Sequence, residues 1–136
     1  MPVLASQVSG SEVERLRAKL HERLKDIIEV LVDDAGFSVT AALSDDEIEE
    51  LVFMVLKEAK RPLTWRELKA IFSGVVGEDR LRKILLSLKA RNEVAELTRT
   101  RYSLPEYIPP EEFDKVKNPI ILKKIRGEIE AGPAYQ

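Results

Sequence analysis

The side chains with the clearest capacity for chemistry in this sequence are basic. Arg80, Arg82, Lys83 and Lys89 recur at helical spacing, Arg99 and Arg101 follow two residues apart, and Arg61, Arg66 and Lys69 come just before. Cations arrayed on one helix and an adjoining hairpin can neutralise phosphates, and a guanidinium can also donate in pairs to a base edge. A second cluster is acidic, with Asp45, Asp46, Glu47, Glu49 and Glu50 close together and Asp33-Asp34 ahead of them. Grouped carboxylates suit a divalent cation or an acid/base pair. A helix first turn rich in carboxylates, which the positive end of the helix dipole favours, is the simpler account. His21 is the single histidine and cysteine is absent, which excludes disulfides, thiolate nucleophiles, Cys-based metal sites and two-histidine metal sites. There is no phosphate-binding glycine loop and no serine-nucleophile elbow. The expectation is a protein that is not an enzyme and carries no cofactor or metal.

The charges are unevenly placed. The whole chain of 136 residues has a net charge of −2. Residues 1–59 hold six basic and thirteen acidic side chains (−7), residues 60–104 eleven and five (+6), and residues 105–136 five and six (−1). The near-neutral total therefore hides a basic middle segment, and such asymmetry bears on partners more than the total does. The content of 44% hydrophobic and 34% charged residues supports a folded core. No run of about 18 apolar residues suggests a membrane span. Residues 1–10 lack the basic start and apolar stretch of a signal peptide, so the expected location is cytoplasmic. Few Gln, Asn and Met beside abundant Glu, Lys, Arg and Ile follow the trend of proteins from hot-living organisms.

The elements that must position these groups can be read from spacing. Ser11-Glu12-Val13-Glu14 has the form of a capping box, and Val13, Leu16, Leu20, Leu24, Ile27 and Leu31 predict an amphipathic helix from Ser11 to about Ala35. Leu20, Leu24, Ile27 and Leu31 also fit coiled-coil a/d spacing, so a dimer seam is expected there, with packing on the chain's own core as the alternative. Ser44-Asp45-Asp46-Glu47 opens a second helix to about Lys60, and Thr64-Trp65-Arg66-Glu67 opens a short third one through Phe72. Trp65 shares a face with Leu68 and Phe72 and is expected in the core. After Ser73-Gly74, Gly77 leads into a helix over Glu78 to Arg91 with Leu81, Ile84, Leu85 and Leu88 inward. Val94 to Leu104 predicts two short strands about a turn near Thr98-Arg99-Thr100, with Arg101 and Tyr102 on opposite sides. Pro105, Pro109 and Pro110 then precede a last helix from Asn118-Pro119, as N-cap and first position, to about Glu130, expected to pack on the first helix or on a partner. The expected division is residues 1–43 for the long helix and connector, 44–104 for the central domain and 105–136 for the proline-rich exit and final helix.

Residues 46–104 resemble the winged helix-turn-helix domains of small archaeal and bacterial transcription regulators. The likeness is carried by Pro62-Leu63-Thr64 with Glu67-Leu68, by Leu81, Leu85 and Leu88 in the position of the recognition helix, and by Arg99-Thr100-Arg101-Tyr102-Ser103-Leu104 as the returning wing strand. The resemblance implies a mainly α fold of three helices and a β-hairpin wing, here with long helical extensions at both ends. It implies a regulator or chromosome-associated factor that binds double-stranded DNA as a homodimer, with Arg66, Lys69, Arg80, Arg82, Lys83, Lys89, Arg99 and Arg101 as DNA contacts. Glu78 and Asp79 at the start of the recognition helix argue for the alternative, a winged-helix module that docks a protein partner. No membrane partner is expected.

Overall fold

The computed structural model describes the backbone of residues 2–35 and 43–130, with side chains over 11–27 and 43–127. Helix α1 covers Pro2–Ala35. Ser11 is thus inside α1 and not its N-cap. A glycine in mid-helix costs only about 1 kcal/mol relative to alanine, so Gly10 does not stop the helix, and Glu12 pairs with Arg15 one turn on at 3.0 Å. Leu16, Leu20 and Leu24 are buried in the chain's own core. An intermolecular seam through Leu20 and Leu24 would require that core to open. Ile27 is half-buried against the same cluster, and the side chain of Leu31 lies outside the described residues, as do those of Asp33, Asp34 and Ile129. Far from standing off as an extension, α1 supplies one wall of the core.

Helix α2 (Asp45–Ala59) begins with Ser44 and Glu47 capping each other's backbone, and its inward side is Ile48, Leu51, Val52, Val55, Leu56 and Ala59. Three of the five acids in the cluster that opens α2 are used within the fold. Glu47 completes the cap, Asp45 holds Arg80 at 2.8 Å and Glu49 holds Arg91 at 2.7 Å. Among the described residues no three of His, Asp or Glu are gathered as a metal ion requires. A two-residue strand β1 (Leu63–Thr64), absent from the sequence expectations, leads into helix α3 (Trp65–Phe72), capped by Thr64 and Glu67. Arg17 of α1 closes the other end of α3, donating to the carbonyls of Ala70, Ile71 and Ser73 at 2.9, 3.2 and 2.8 Å. A cation there satisfies carbonyls that the helix leaves without partners. The chain turns at Gly74 with φ +82°, and Gly77 is the N-cap of helix α4 (Glu78–Ala90), whose buried stripe is Leu81, Ile84, Leu85 and Leu88.

Strands β2 (Ala95–Leu97) and β3 (Arg101–Ser103) form the expected hairpin. With β1 they make a three-stranded antiparallel sheet in the order β1-β3-β2, Leu63 opposite Tyr102 and Glu96 opposite Tyr102 on the other side. Two turns of 3-10 helix, Pro105–Tyr107 and Pro110–Lys115, carry the chain back along β2. There the Thr98 amide donates to Lys115 and the Lys117 amide to Glu96, at 3.0 and 2.7 Å, so the outer edge of β2 is covered. Helix α5 (Pro119–Glu130) does not join the main core. Ile121, Leu122 and Ile125 pack with Ala95, Leu97, Ile108, Phe113 and Val116 in a second, smaller cluster that, among the described residues, contains none of α1. The result is a mainly helical fold with a small antiparallel sheet. No described helix is long and apolar enough to cross a membrane.

Asn118 joins the two parts. It stands as expected just before Pro119 at the start of α5, where its carbonyl accepts from Leu122, but its side chain is used elsewhere. It is 2% exposed and turned inward, where Oδ1 accepts from the Glu96 amide at 2.8 Å and Nδ2 donates to Lys89 and Val94 carbonyls at 3.0 and 3.1 Å. Alanine would take this partner from the buried Glu96 amide and Val94 carbonyl, while the Lys89 carbonyl keeps the Asn92 amide at 2.9 Å. Asn118→Ala should therefore lower stability by about 2–3 kcal/mol, read as a fall of several degrees in Tm; an unchanged Tm would contradict this role.

Candidate nucleic-acid interface

Trp65 marks the meeting of α3, α4 and the hairpin. Its amide donates to the Thr100 carbonyl at 2.9 Å, which ties the start of α3 to the β2–β3 turn. Its ring is half-buried, one part packing on the core, where the sequence had placed it whole. The rest lies under two cations, with the Arg82 guanidinium 5.0 Å and the Lys69 ammonium 5.8 Å from the ring centre. The ring sits at the first position of α3, at the rim of the helix layer, so full burial is not open to it.

The turn itself is built from Thr98, Arg99 and Thr100, with Arg99 and Thr100 at φ +66° and +52°. Such values usually call for glycine or asparagine. Here Arg101 supplies the closure, its Nε donating to the Thr98 carbonyl at 3.1 Å. Arg99 is consequently held at the tip, exposed, on the rim of a cleft of about 360 Å³ that Thr64, Arg101, Glu112 and Lys115 also line.

The eight cations singled out by sequence divide into two groups. Arg101 is 18% exposed at its side chain and donates to both carboxylate oxygens of Glu112, at 2.9 and 2.8 Å. Lys89 bonds the buried Glu96 at 2.8 Å, a carboxylate that Lys117 also approaches at 3.5 Å. Arg80 is held by Asp45 and by the Leu43 carbonyl, and Lys69 faces Glu78 at 3.7 Å. These four join parts of the fold together, which their outward sequence positions did not suggest. Arg66, Arg82, Lys83 and Arg99 are exposed and have no carboxylate within ion-pair distance among the described residues. They lie on α3, α4 and the hairpin turn, three elements that meet at Trp65, with Arg82 over its ring. Of the two acids at the start of α4, Glu78 is paired with Lys69, while Asp79 stands exposed.

Leu86 is a member of this surface that the sequence reading missed. It is 52% exposed on α4. The signal was available, since Leu86 falls off the stripe of Leu81, Ile84, Leu85 and Leu88 and lies one turn beyond Arg82.

Two titrating groups support the site from within. Burial pushes the Tyr102 phenol up, and Glu96 adds to this while Arg82 opposes it. For Glu67, burial would raise the carboxyl, but the bonds from Arg61 and Thr64 together outweigh it and hold the group below its usual value of 4.5. Arg61 sits 3.0 Å from Glu67, and the Thr64 amide donates to it at 2.9 Å.

Comparison with protein-family models, with curated proteins and with solved structures gives no match.

Because the folded-state value for Glu67 lies below the unfolded one, its contribution is complete above about pH 4.5 and fades as pH falls through the lowered value. Glu67→Gln should thus be less stable than the parent at pH 7, by about 1 kcal/mol, with a smaller gap at an acidic pH below the usual 4.5. Urea unfolding at the two pH values measures this, and a gap that stays constant would contradict it.

Proposed function

We propose that this chain is a winged helix-turn-helix protein that binds duplex DNA, acting as a transcription regulator or chromosome-associated factor, with α4 as the recognition helix and the β2–β3 hairpin as the wing. The order α2, β1, α3, turn, α4, β2, β3 and the sheet order β1-β3-β2 support the fold assignment. The observation that carries the functional reading is the group of Arg66, Arg82, Lys83 and Arg99, exposed and without a carboxylate partner among the described residues, on three elements that converge at Trp65. A helix flanked by cations can enter the major groove while the wing meets flanking phosphates. Because Leu20 and Leu24 lie inside the chain's own core, a dimer on a two-fold site would use a surface that leaves these two leucines in place.

A docking module for a protein partner is the second reading. Exposed Leu86 with Asp79 and Glu78 on the same helix favours it, since an apolar anchor ringed by charges is a common interface centre.

A mobility-shift series with random-sequence duplex separates the two. With three or four of these cations on phosphates, the slope of log affinity against log salt should be about −3 to −4. Arg82→Ala with Lys83→Ala should weaken binding at least about tenfold at low salt. Lys19→Ala with Lys25→Ala, both exposed on α1, should leave it unchanged; Arg17 is unsuitable as such a control because it caps α3. No salt-dependent binding at low ionic strength would refute the DNA reading and leave the docking one.

A further inference from the structure

We infer that α4 reads a guanine and a thymine methyl about two base steps apart, through Arg82 and Leu86, an inference that rests on duplex DNA being the partner. Arg82 is the α4 cation whose guanidinium lies over an aromatic ring, 5.0 Å from the centre of Trp65. A guanidinium already oriented in this way loses little freedom when it donates two parallel hydrogen bonds, and guanine O6 and N7 are the paired acceptors of the major groove. Trp65 is on this account a positioning residue for Arg82. Lys83, the next residue, is exposed and lacks the planar fork, so it suits a phosphate as a point charge.

Leu86 follows Arg82 by four residues, which brings the two onto one side of the helix. The buried stripe of α4 points the other way, and the outward side also carries Asp79, Lys83 and Ala90, all exposed. A half-exposed leucine among charges leaves apolar surface in water. In the major groove, the apolar feature that would cover it is the C5 methyl of thymine. Four residues rise about 6 Å along the helix, close to two base steps of about 3.4 Å. Asp79, three residues before Arg82, fits the same orientation. Against phosphate it would be repelled, whereas against base edges it can accept from cytosine N4.

The test uses the full chain and its best duplex, selected from a random pool. In that duplex each guanine is replaced in turn by 7-deazaguanine, which lacks N7, and each thymine by uracil, which lacks the methyl. One guanine should cost about tenfold in affinity and one thymine within two steps of it about threefold. Arg82→Lys should remove the loss at guanine while keeping the salt slope, Leu86→Ala should bind the thymine and uracil duplexes equally, and Trp65→Leu should blunt the guanine effect with Lys83 and Leu86 intact. Arg82 and Leu86 are exposed, so circular dichroism should show both variants folded. Salt-dependent binding that is indifferent to every base replacement would overturn the inference and leave the DNA reading standing. Failure to select or shift any duplex at low salt would overturn both.

Discussion

The amide of Thr64 donates to the Glu67 carboxylate while the Thr64 hydroxyl accepts from the Glu67 amide, and one residue later the Trp65 amide is taken by the Thr100 carbonyl. Thr64 is also paired with Arg101 in the sheet. Within two residues the chain thus ends a strand, starts a helix and fixes that helix to the hairpin turn. Were Thr64 free, α3 would lose its start, β1 its end and Trp65 its tie to the turn. The proposed binding surface depends on this junction, since it ties α3, which carries Arg66, to the turn that carries Arg99, with Arg82 of α4 over the Trp65 ring between them.

Carboxylates placed elsewhere in the fold decide which cations remain for a ligand. Glu96, Glu112 and Asp45 draw Lys89, Arg101 and Arg80 into links between helix, strand and 3-10 segment. A cation already bonded to a carboxylate gives less to a phosphate, because that bond must first be exchanged. The basic character of residues 60–104 is therefore reduced, among the described residues, to a narrower patch of Arg66, Arg82, Lys83 and Arg99.

Much of the architecture could be read from local pattern. The caps at Ser44 and Thr64, the stripe of α4 and the hairpin turn depend on residues a few positions apart, and those expectations agree with the structure. Ser11 had the same local form as Ser44 yet lies within a helix, because a capping box cannot itself stop a helix that begins further back. Leu20 and Leu24 fitted a dimer seam and a monomer core equally well, since an a/d pattern does not say whose leucines fill the other side. Strand β1 has two residues and no periodicity, and its partners at Arg101 and Tyr102 lie far along the chain. Asn118 likewise acts on Lys89 and Val94, and the division of the cations rests on such distant partners too.

The surface around Trp65 is the proposed seat of a duplex. Backbone and tryptophan side-chain NMR shifts of the isotopically labelled chain, followed during titration with a short duplex at low salt, test it most directly. Predicted is a contiguous set of shifts at the Trp65 indole, Arg66, Arg82, Lys83, Leu86 and Arg99, with α1 and α5 unaffected. Shifts centred on α5 and exposed Ile120, or none at all, would contradict it.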